Sequence, residues 1–272
     1  MRIIRFEDEH GTEHWGCDHD GESADLLVGE PLDGLRLAGG RAAVVRLLAP
    51  VVPRAILCIG LNYRDHARET GKSIPERPVL FMKNPAAVQD PGAPIRLLPE
   101  FVQRPEVDFE VELAVVLGRA ARDVRPEAAL DYVLGYTIGN DVSARRVQKH
   151  GGGGQWIRGK SYDTFCPLGP VLVTPDEIRD PQALRLTTRL NGELMQDSST
   201  AEMIFGVAEL IADLSHGTTL LPGTVIMTGT PHGVGFARDP RVFLKPGDLL
   251  ELTIEGIGTL RCPVEADAVT TS

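Results

Sequence analysis

The sequence predicts a mixed α/β fold that is predominantly β. Three observations predict it. Glycine (29) and proline (20) recur throughout the 272 residues, as expected where many short strands are joined by turns. Val107 to Val116 reads as a strand whose side chains alternate faces. Leu186 to Leu190 and Glu193 to Met195 flank Asn191-Gly192, the dipeptide of a two-residue hairpin turn.

Composition narrows the function. A net charge of -10 argues against a nucleic-acid partner or an anionic membrane surface. No apolar run reaches the length of a membrane span, and Met1-Arg2-Ile3-Ile4-Arg5-Phe6-Glu7 lacks the apolar core of a signal peptide. Cys17, Cys58, Cys166 and Cys262 lie far apart, with no metal-ligand spacing among them. They read as reduced thiols in a cytoplasmic protein.

The elements follow in order. Short β-like pieces at Ile3–Phe6, His14–Cys17 and Val44–Leu48 form a small N-terminal β-rich lobe over residues 1–52. Pro50-Val51-Val52-Pro53 closes it as an extended linker, and residues 53–272 form the larger domain. Ala55 to Gly60 reads as a buried strand. Asn62 to Glu69 then begins a helix with Asn62 as its N-cap. On that helix His66 and Glu69 are three apart and touch. Such a pair suits a general base oriented by a carboxylate, and equally a surface ion pair. Thr70 to Pro78 is polar and rich in breakers, either a lid or an exposed loop. Val79 to Lys83 is a strand whose final lysine faces either a site or solvent.

The acidic strand follows. Val107, Phe109, Val111, Leu113 and Val115 share an apolar face, and Asp108, Glu110 and Glu112 share the other. Glu110 and Glu112 lie roughly 7 Å apart along the strand. Their face turns apolar at Ala114 and Val116. Either a solvated acidic face or a hard divalent cation accounts for such a pair. Pro126 to Asp131 reads as a short helix opened by proline, and Tyr132 to Gly139 as an apolar strand. Asp141, just past that strand, is placed as a metal ligand or as the N-cap of a helix over 143–150. Val207 to His216 is an amphipathic helix stopped by Gly217. Thr224 to Thr228 is a buried strand leading into Gly229-Thr230-Pro231-His232-Gly233, and Leu249–Ile254 with Thr259–Val264 form a closing hairpin.

Two motifs mislead. His150-Gly151-Gly152-Gly153 resembles an esterase oxyanion loop, yet the chain has no Gly-x-Ser-x-Gly nucleophile elbow. Gly154 to Ser161 matches the phosphate-binding loop Gly-x-x-x-x-Gly-Lys-Ser. The following Pro167, Gly169 and Pro170 forbid the long helix that loop requires.

Together the segments resemble the fumarylacetoacetate hydrolase family. The matching pieces are Gly60-Leu61-Asn62-Tyr63 with His66 and Glu69, Phe109-Glu110-Val111-Glu112-Leu113, and Gly139-Asn140-Asp141-Val142-Ser143-Ala144-Arg145. Arg158 to Pro170 and Thr228-Gly229-Thr230-Pro231 continue the pattern. The resemblance runs from about residue 55 to 265. It implies a β-roll of antiparallel and mixed sheets with peripheral helices, and a homodimer. It implies that Glu110, Glu112 and Asp141 hold one Mg²⁺ or Mn²⁺ per site, a hard ion suited to carboxylates. It implies that His66, oriented by Glu69, activates water, and that Lys160 stabilises negative charge nearby. Lys83, Arg145, Gln148 and Thr230 match substrate-contacting positions, and residues 66–78 match a closing lid.

The chemistry implied is cleavage of the carbon–carbon bond of a 2,4-dioxo acid: an acylpyruvate, fumarylpyruvate or a diketo-deoxy sugar acid. Water attacks the distal carbonyl, and the leaving carbanion is an enolate held by the metal and Lys160. The alternative is decarboxylation or keto–enol tautomerisation of oxaloacetate, or a related isomerisation, at the same site. The chain lacks the long N-terminal barrel of fumarylacetoacetase itself, which argues against that substrate.

Overall fold

The computed structural model describes residues 1–268. The chain opens with β1 (Arg2–Glu7), β2 (Glu13–Cys17), β3 (Ser23–Val28), β4 (Arg36–Ala43) and β5 (Arg46–Leu48). Then come β6 (Ala55–Gly60), α1 (Arg64–Glu69), β7 (Val79–Lys83), β8 (Val88–Gln89), β9 (Ile95–Leu97) and α2 (Pro99–Gln103). The middle of the chain holds β10 (Val107–Asp108), β11 (Val111–Leu117), α3 (Pro126–Ala129), β12 (Val133–Asn140), β13 (Ser143–Ala144), α4 (Arg145–His150) and α5 (Ile157–Lys160). It ends with β14 (Cys166–Val173), β15 (Arg185–Leu190), β16 (Glu193–Ser199), α6 (Val207–Ser215), β17 (Thr224–Met227), β18 (Leu249–Ile254) and β19 (Gly258–Ala266).

The strands form a mostly antiparallel large sheet in the order β4-β3-β2-β1-β14-β12-β11-β17-β6-β7. β5 adds to β1, and β8 pairs with β14 in parallel. A second sheet runs β16-β15-β18-β19-β9. The fold is mostly β with mixed sheets, as the sequence predicts. β11 lies inside the large sheet and is buried on both faces. Val111, Leu113, Val115 and Leu117 join the main core with Leu250, Leu252 and Leu260 of the second sheet. Ala114 and Val116 join a smaller core with Cys58, Cys166 and Met227. The half-exposed reading of this strand therefore falls. Glu110 and Glu112 have the parity of Ala114 and Val116, and they stand where that smaller core ends.

The N-terminal strands show what a local pattern misses. β3 and β4 escape the sequence reading. β4 holds Gly39 and Gly40 and is almost wholly exposed, so it carries no alternation. The division at residue 52 stands as a proposal. Among the described residues, β2 to β5 form strand ladders only with one another and with β1, and β1 joins that sheet to the rest by pairing with β14.

Two capping expectations are corrected. The N-cap of α1 is Tyr63, with no side-chain cap bond. Asn62 instead donates to the carbonyls of Thr228 and Phe205, which ties two distant loops together. The helix predicted over 143–150 starts at Arg145, again without a side-chain cap, because Asp141 is held by lysines. No helix among the described residues is long and apolar enough to cross a membrane. All four cysteines are free and buried.

Candidate active site

Glu110, Glu112 and Asp141 converge through strand register. Val111 pairs with Asn140 and Glu112 with Gly139 in the β11–β12 ladder. Just beyond, Asp108 pairs with Ser143 in the β10–β13 ladder. The predicted continuous strand is thus broken at Phe109 and Glu110, and the gap sets Glu110 against Asp141. There the Asp141 N–H donates to the Glu110 carbonyl at 2.9 Å, and the Glu110 N–H donates to Asn140 Oδ1 at 3.1 Å. One carboxylate oxygen from each of Glu110, Glu112 and Asp141 lies within 4.8 Å of the others, all three residues being buried.

Cations are set among these acids. Lys160 Nζ bridges Glu110 Oε2 at 2.8 Å and Asp141 Oδ2 at 2.6 Å. Arg145 Nη2 lies 2.7 Å from both Glu110 Oε1 and Asp108 Oδ2. Lys83 Nζ lies 2.5 Å from Asp141 Oδ1 and 3.2 Å from the Val142 carbonyl. Burial draws the Lys160 ammonium down, yet Asp141 and Glu110 outweigh it, and its pKa is pushed up to about 12. Burial likewise favours a neutral Glu110, but Arg145 and Lys160 hold its carboxyl below the ordinary range.

Gly159 explains how Lys160 arrives there. A Cβ on it would lie 2.4 Å from the Gln148 amide nitrogen and 2.9 Å from the Ala144 carbonyl oxygen. Only glycine lets α5 pack this tightly on the start of α4. The Gly-Lys-Ser of the phosphate-loop look-alike is therefore a close helix contact followed by a buried lysine.

The local charge does not balance. Four buried carboxylates, Asp108, Glu110, Glu112 and Asp141, face three buried cations, Lys83, Arg145 and Lys160. The excess falls on Glu112, whose Oε2 accepts the Gly229 N–H at 2.8 Å. Burial pushes its carboxyl well above the ordinary range, and Asp141 and Glu110 push it further. An uncompensated carboxylate beside two others, all hard oxygen donors, fits a divalent cation.

His66 and Glu69 reach the same space. His66 Nδ1 lies 3.0 Å from Glu69 Oε2, and Glu69 Oε1 accepts the Gly233 N–H at 2.8 Å. Asp65 strengthens this clamp. Its Oδ1 accepts the His66 N–H at 2.6 Å, and its Oδ2 lies 2.9 Å from His232 Nδ1 and 2.5 Å from Ser198 Oγ. Two carboxylates flanking His66 therefore pin α1 to the 228–235 loop.

A cavity of about 410 Å³ opens at this point. Glu110, Glu112, Asp141 and Lys160 line it together with His66 and Glu69. Arg145, Gln148 and Thr230 line it as well. Gln148 Oε1 accepts from Arg145 Nη1 at 3.2 Å, and Thr230 Oγ1 accepts from Gln196 Nε2 at 2.9 Å. Lys83 departs from expectation: it is absent from the cavity wall and wholly buried. Its ammonium is spent on Asp141 and a carbonyl, behind the carboxylates, so a direct substrate contact does not follow from its place. Sequence reasoning assigned no role to Asp108, Asp65 or Gln196. Asp108 had a signal, since it shares the acidic parity of Glu110. Gln196 had none, because its partners come from three separate segments.

Residues 55–265 match the family described as fumarylacetoacetate (FAA) hydrolase, C-terminal. The oxaloacetate tautomerase fahd2 of Xenopus laevis, named as mitochondrial, is 46% identical over 245 residues, 90% of this chain and 76% of its own length. The solved 5-carboxymethyl-2-hydroxymuconate delta-isomerase of Mycobacterium smegmatis aligns with a TM-score of 0.85 at 38% identity, over 98% of this chain and 100% of its own. The fumarylacetoacetate hydrolase of psychrophilic Exiguobacterium antarcticum aligns with a TM-score of 0.87 at 38% identity, again over 98% and 100%.

Proposed function

The chain belongs to the fumarylacetoacetate hydrolase family, and from that premise we propose a metal-dependent enzyme that interconverts the keto and enol forms of a small 2-oxo dicarboxylic acid of the oxaloacetate type. One observation carries the reading. The buried carboxylate cluster, with Lys160 between Glu110 and Asp141, shares a cavity with His66 and Glu69. The tautomerase named among the relatives turns the choice of reaction from the expected hydrolase toward the alternative.

Glu110, Glu112 and Asp141 would hold Mg²⁺ or Mn²⁺, which when bound acts as a Lewis acid on carbonyl oxygens. The side chains supply the rest. His66 Nδ1 is committed to Glu69, which leaves Nε2 to take a proton from the carbon beside the 2-oxo group and return it to oxygen. The substrate's atoms are conserved, and no water is consumed. Glu69 fixes the orientation of the ring. Lys160 presents a fixed positive charge to the developing oxyanion. Arg145 is pre-oriented by Asp108, and Gln148 by Arg145, to receive a carboxylate. Gln196 donates to Thr230, so the Thr230 hydroxyl proton is available to a substrate oxygen. Lys83 positions Asp141. Residues 66–78 act as the closing wall, a role supported by Thr70 and Lys72, which line the cavity from that stretch. The enzyme works as a homodimer, supported by the exposed Leu80 and Met82 on β7, the edge of the large sheet.

The same residues support a second reading, cleavage of a 2,4-dioxo acid. The His66–Glu69 pair inside the cavity favours it, because hydrolysis needs water activated by a base. One assay separates the two. Enol disappearance of oxaloacetate is followed by ultraviolet absorbance with Mg²⁺ or Mn²⁺ and with chelator, beside acetylpyruvate and fumarylpyruvate. Chelator-sensitive enol–keto exchange, with pyruvate release at background, is expected. Cleavage of the dioxo acids with oxaloacetate untouched would move the assignment to the hydrolase. His66→Ala lowers kcat roughly 10²–10⁴-fold, and Glu110→Gln abolishes both metal binding and turnover.

A further inference from the structure

A second charged cluster stands between the cavity and a neighbouring groove, and it is built differently. Phe236 carries three cations. Lys149 Nζ lies 3.6 Å from the ring centroid, Arg241 Cζ 4.6 Å and Arg145 Cζ 5.9 Å. Arg145 is neutralised by Asp108 and Glu110. Lys149 and Arg241 have no carboxylate within ion-pair distance among the described residues. The Lys149 ammonium is drawn below its ordinary value by burial, then by Lys72, Arg145 and Arg241; every charge acting on it is positive.

In a chain of net charge -10, unneutralised cations gathered around one ring repel one another and need a purpose. The ring offsets part of that repulsion through its negative face. The platform is also fixed. Asp108 Oδ1 accepts the Gly235 N–H at 2.8 Å, and Asp108 Oδ2 accepts the Phe236 N–H at 3.0 Å. The carboxylate that orients Arg145 thus also holds the backbone under Phe236. Lys149, Phe236 and Lys72 line the same cavity as the carboxylate cluster. A neighbouring groove of about 510 Å³ shares Arg145, Lys149 and Phe236 and adds Arg241. The cavity's 410 Å³ falls in the range that encloses drug-sized ligands, more than an acid as small as oxaloacetate fills.

We propose that Lys149 and Arg241, gathered on Phe236 with Lys72 beside them, form a distal anion subsite. It takes the second carboxylate of a 2-oxo diacid longer than oxaloacetate, whose 2-oxo end lies at Glu110, Glu112 and Asp141. This rests on the 2-oxo acid reading above and adds the far end of the substrate. The subsite determines specificity and takes no part in proton transfer.

The test is calorimetric binding to the Mn²⁺-loaded protein. 2-Oxoadipate is compared with 2-oxohexanoate, which has the same chain length and lacks the distal carboxylate. The wild type binds the diacid about tenfold more tightly, the product of two several-fold contributions from solvent-facing ion pairs. In K149A/R241A that ratio falls toward one, and K149E inverts it. High salt compresses the wild-type ratio, because exposed charges are screened. A ratio near one in the wild type, or a tenfold ratio that survives in K149A/R241A, overturns the subsite while leaving the 2-oxo acid reading intact. Failure of both acids to bind the metal-loaded wild type overturns the 2-oxo acid reading, and the subsite with it.

Discussion

Two charged clusters meet at one cavity and share one residue, Arg145, and they obey opposite rules. Around Glu110 and Asp141 every cation is buried and paired with acids at 2.5–2.8 Å. Around Phe236, Lys149 and Arg241 are exposed and, among the described residues, lack acids within ion-pair distance. Burying an unpaired charge costs several kcal/mol, so every cation of the inner cluster had to be assembled with its counter-charges, and the one carboxylate left over, Glu112, is where a divalent cation fits. Solvent makes an unpaired cation cheap, so the outer cluster can wait for a ligand. Closely matched charge marks where the protein holds its own groups in place. Unmatched charge marks where something from outside completes the site.

Substitutions test this contrast. The largest effect is expected at Lys160→Met. It leaves Glu110 and Asp141 buried without their shared cation, and stability falls by about 3–5 kcal/mol. Urea unfolding of the metal-free protein measures it, and a loss under 1 kcal/mol would contradict the pairing described. Next is Gly159→Ala, whose added carbon has no room against Gln148. Overpacking of this kind costs roughly 1–3 kcal/mol and moves Lys160, so activity is expected to fall further than stability alone explains.

Asp65→Asn probes the link between α1 and the 228–235 loop. We expect kcat to fall about tenfold with metal content unchanged, since a displaced His66 misplaces its nitrogen. Burial pushes the Asp65 carboxyl up, but Ser198 and His232 outweigh it, so the net shift from 3.8 is downward. A depressed acid contributes stability that is present above its unfolded value and lost as pH falls through its folded value. The wild type therefore loses this contribution only below pH 3.8, and Asp65→Asn removes that acid-side slope from the stability profile. The smallest effect is expected at Lys149→Ala. Its stability stays within about 0.5 kcal/mol of the wild type, or rises slightly as like-charge repulsion is relieved. A loss comparable with that at Lys160 would erase the distinction between the clusters.

Much of this was legible in the chain. Residues 55–265 carry the family pattern, and the matched span is the same. The hairpin at Asn191-Gly192, helix α6 and strands β6, β7 and β17 lie where their local signals put them. The glutamates of the acidic strand and Asp141 do converge. The errors have a common physical cause. β4 is an exposed edge strand with two central glycines, so no period marks it. The break at Phe109 and Glu110 belongs to two ladders that meet across the strand pair, and neither segment shows it alone.

Alternation follows from backbone geometry and needs no partner, so strands such as β6, β7 and β17 were readable from the chain alone. The chain also marked Glu110, Glu112, Asp141 and Lys160 as candidates for one site, because the segments that carry them resemble those of a known family, and the structure brings the four together. How the charges are shared was set by the folded arrangement. It put Lys83 behind Asp141 instead of in the cavity, gave Asp108 to both Arg145 and the Phe236 loop, and, among the described residues, left Lys149 and Arg241 without acids within ion-pair distance. Those outcomes depend on register and on distances between segments up to 128 residues apart. Electrostatic energy depends on separation in space, and no local pattern in the chain encodes it.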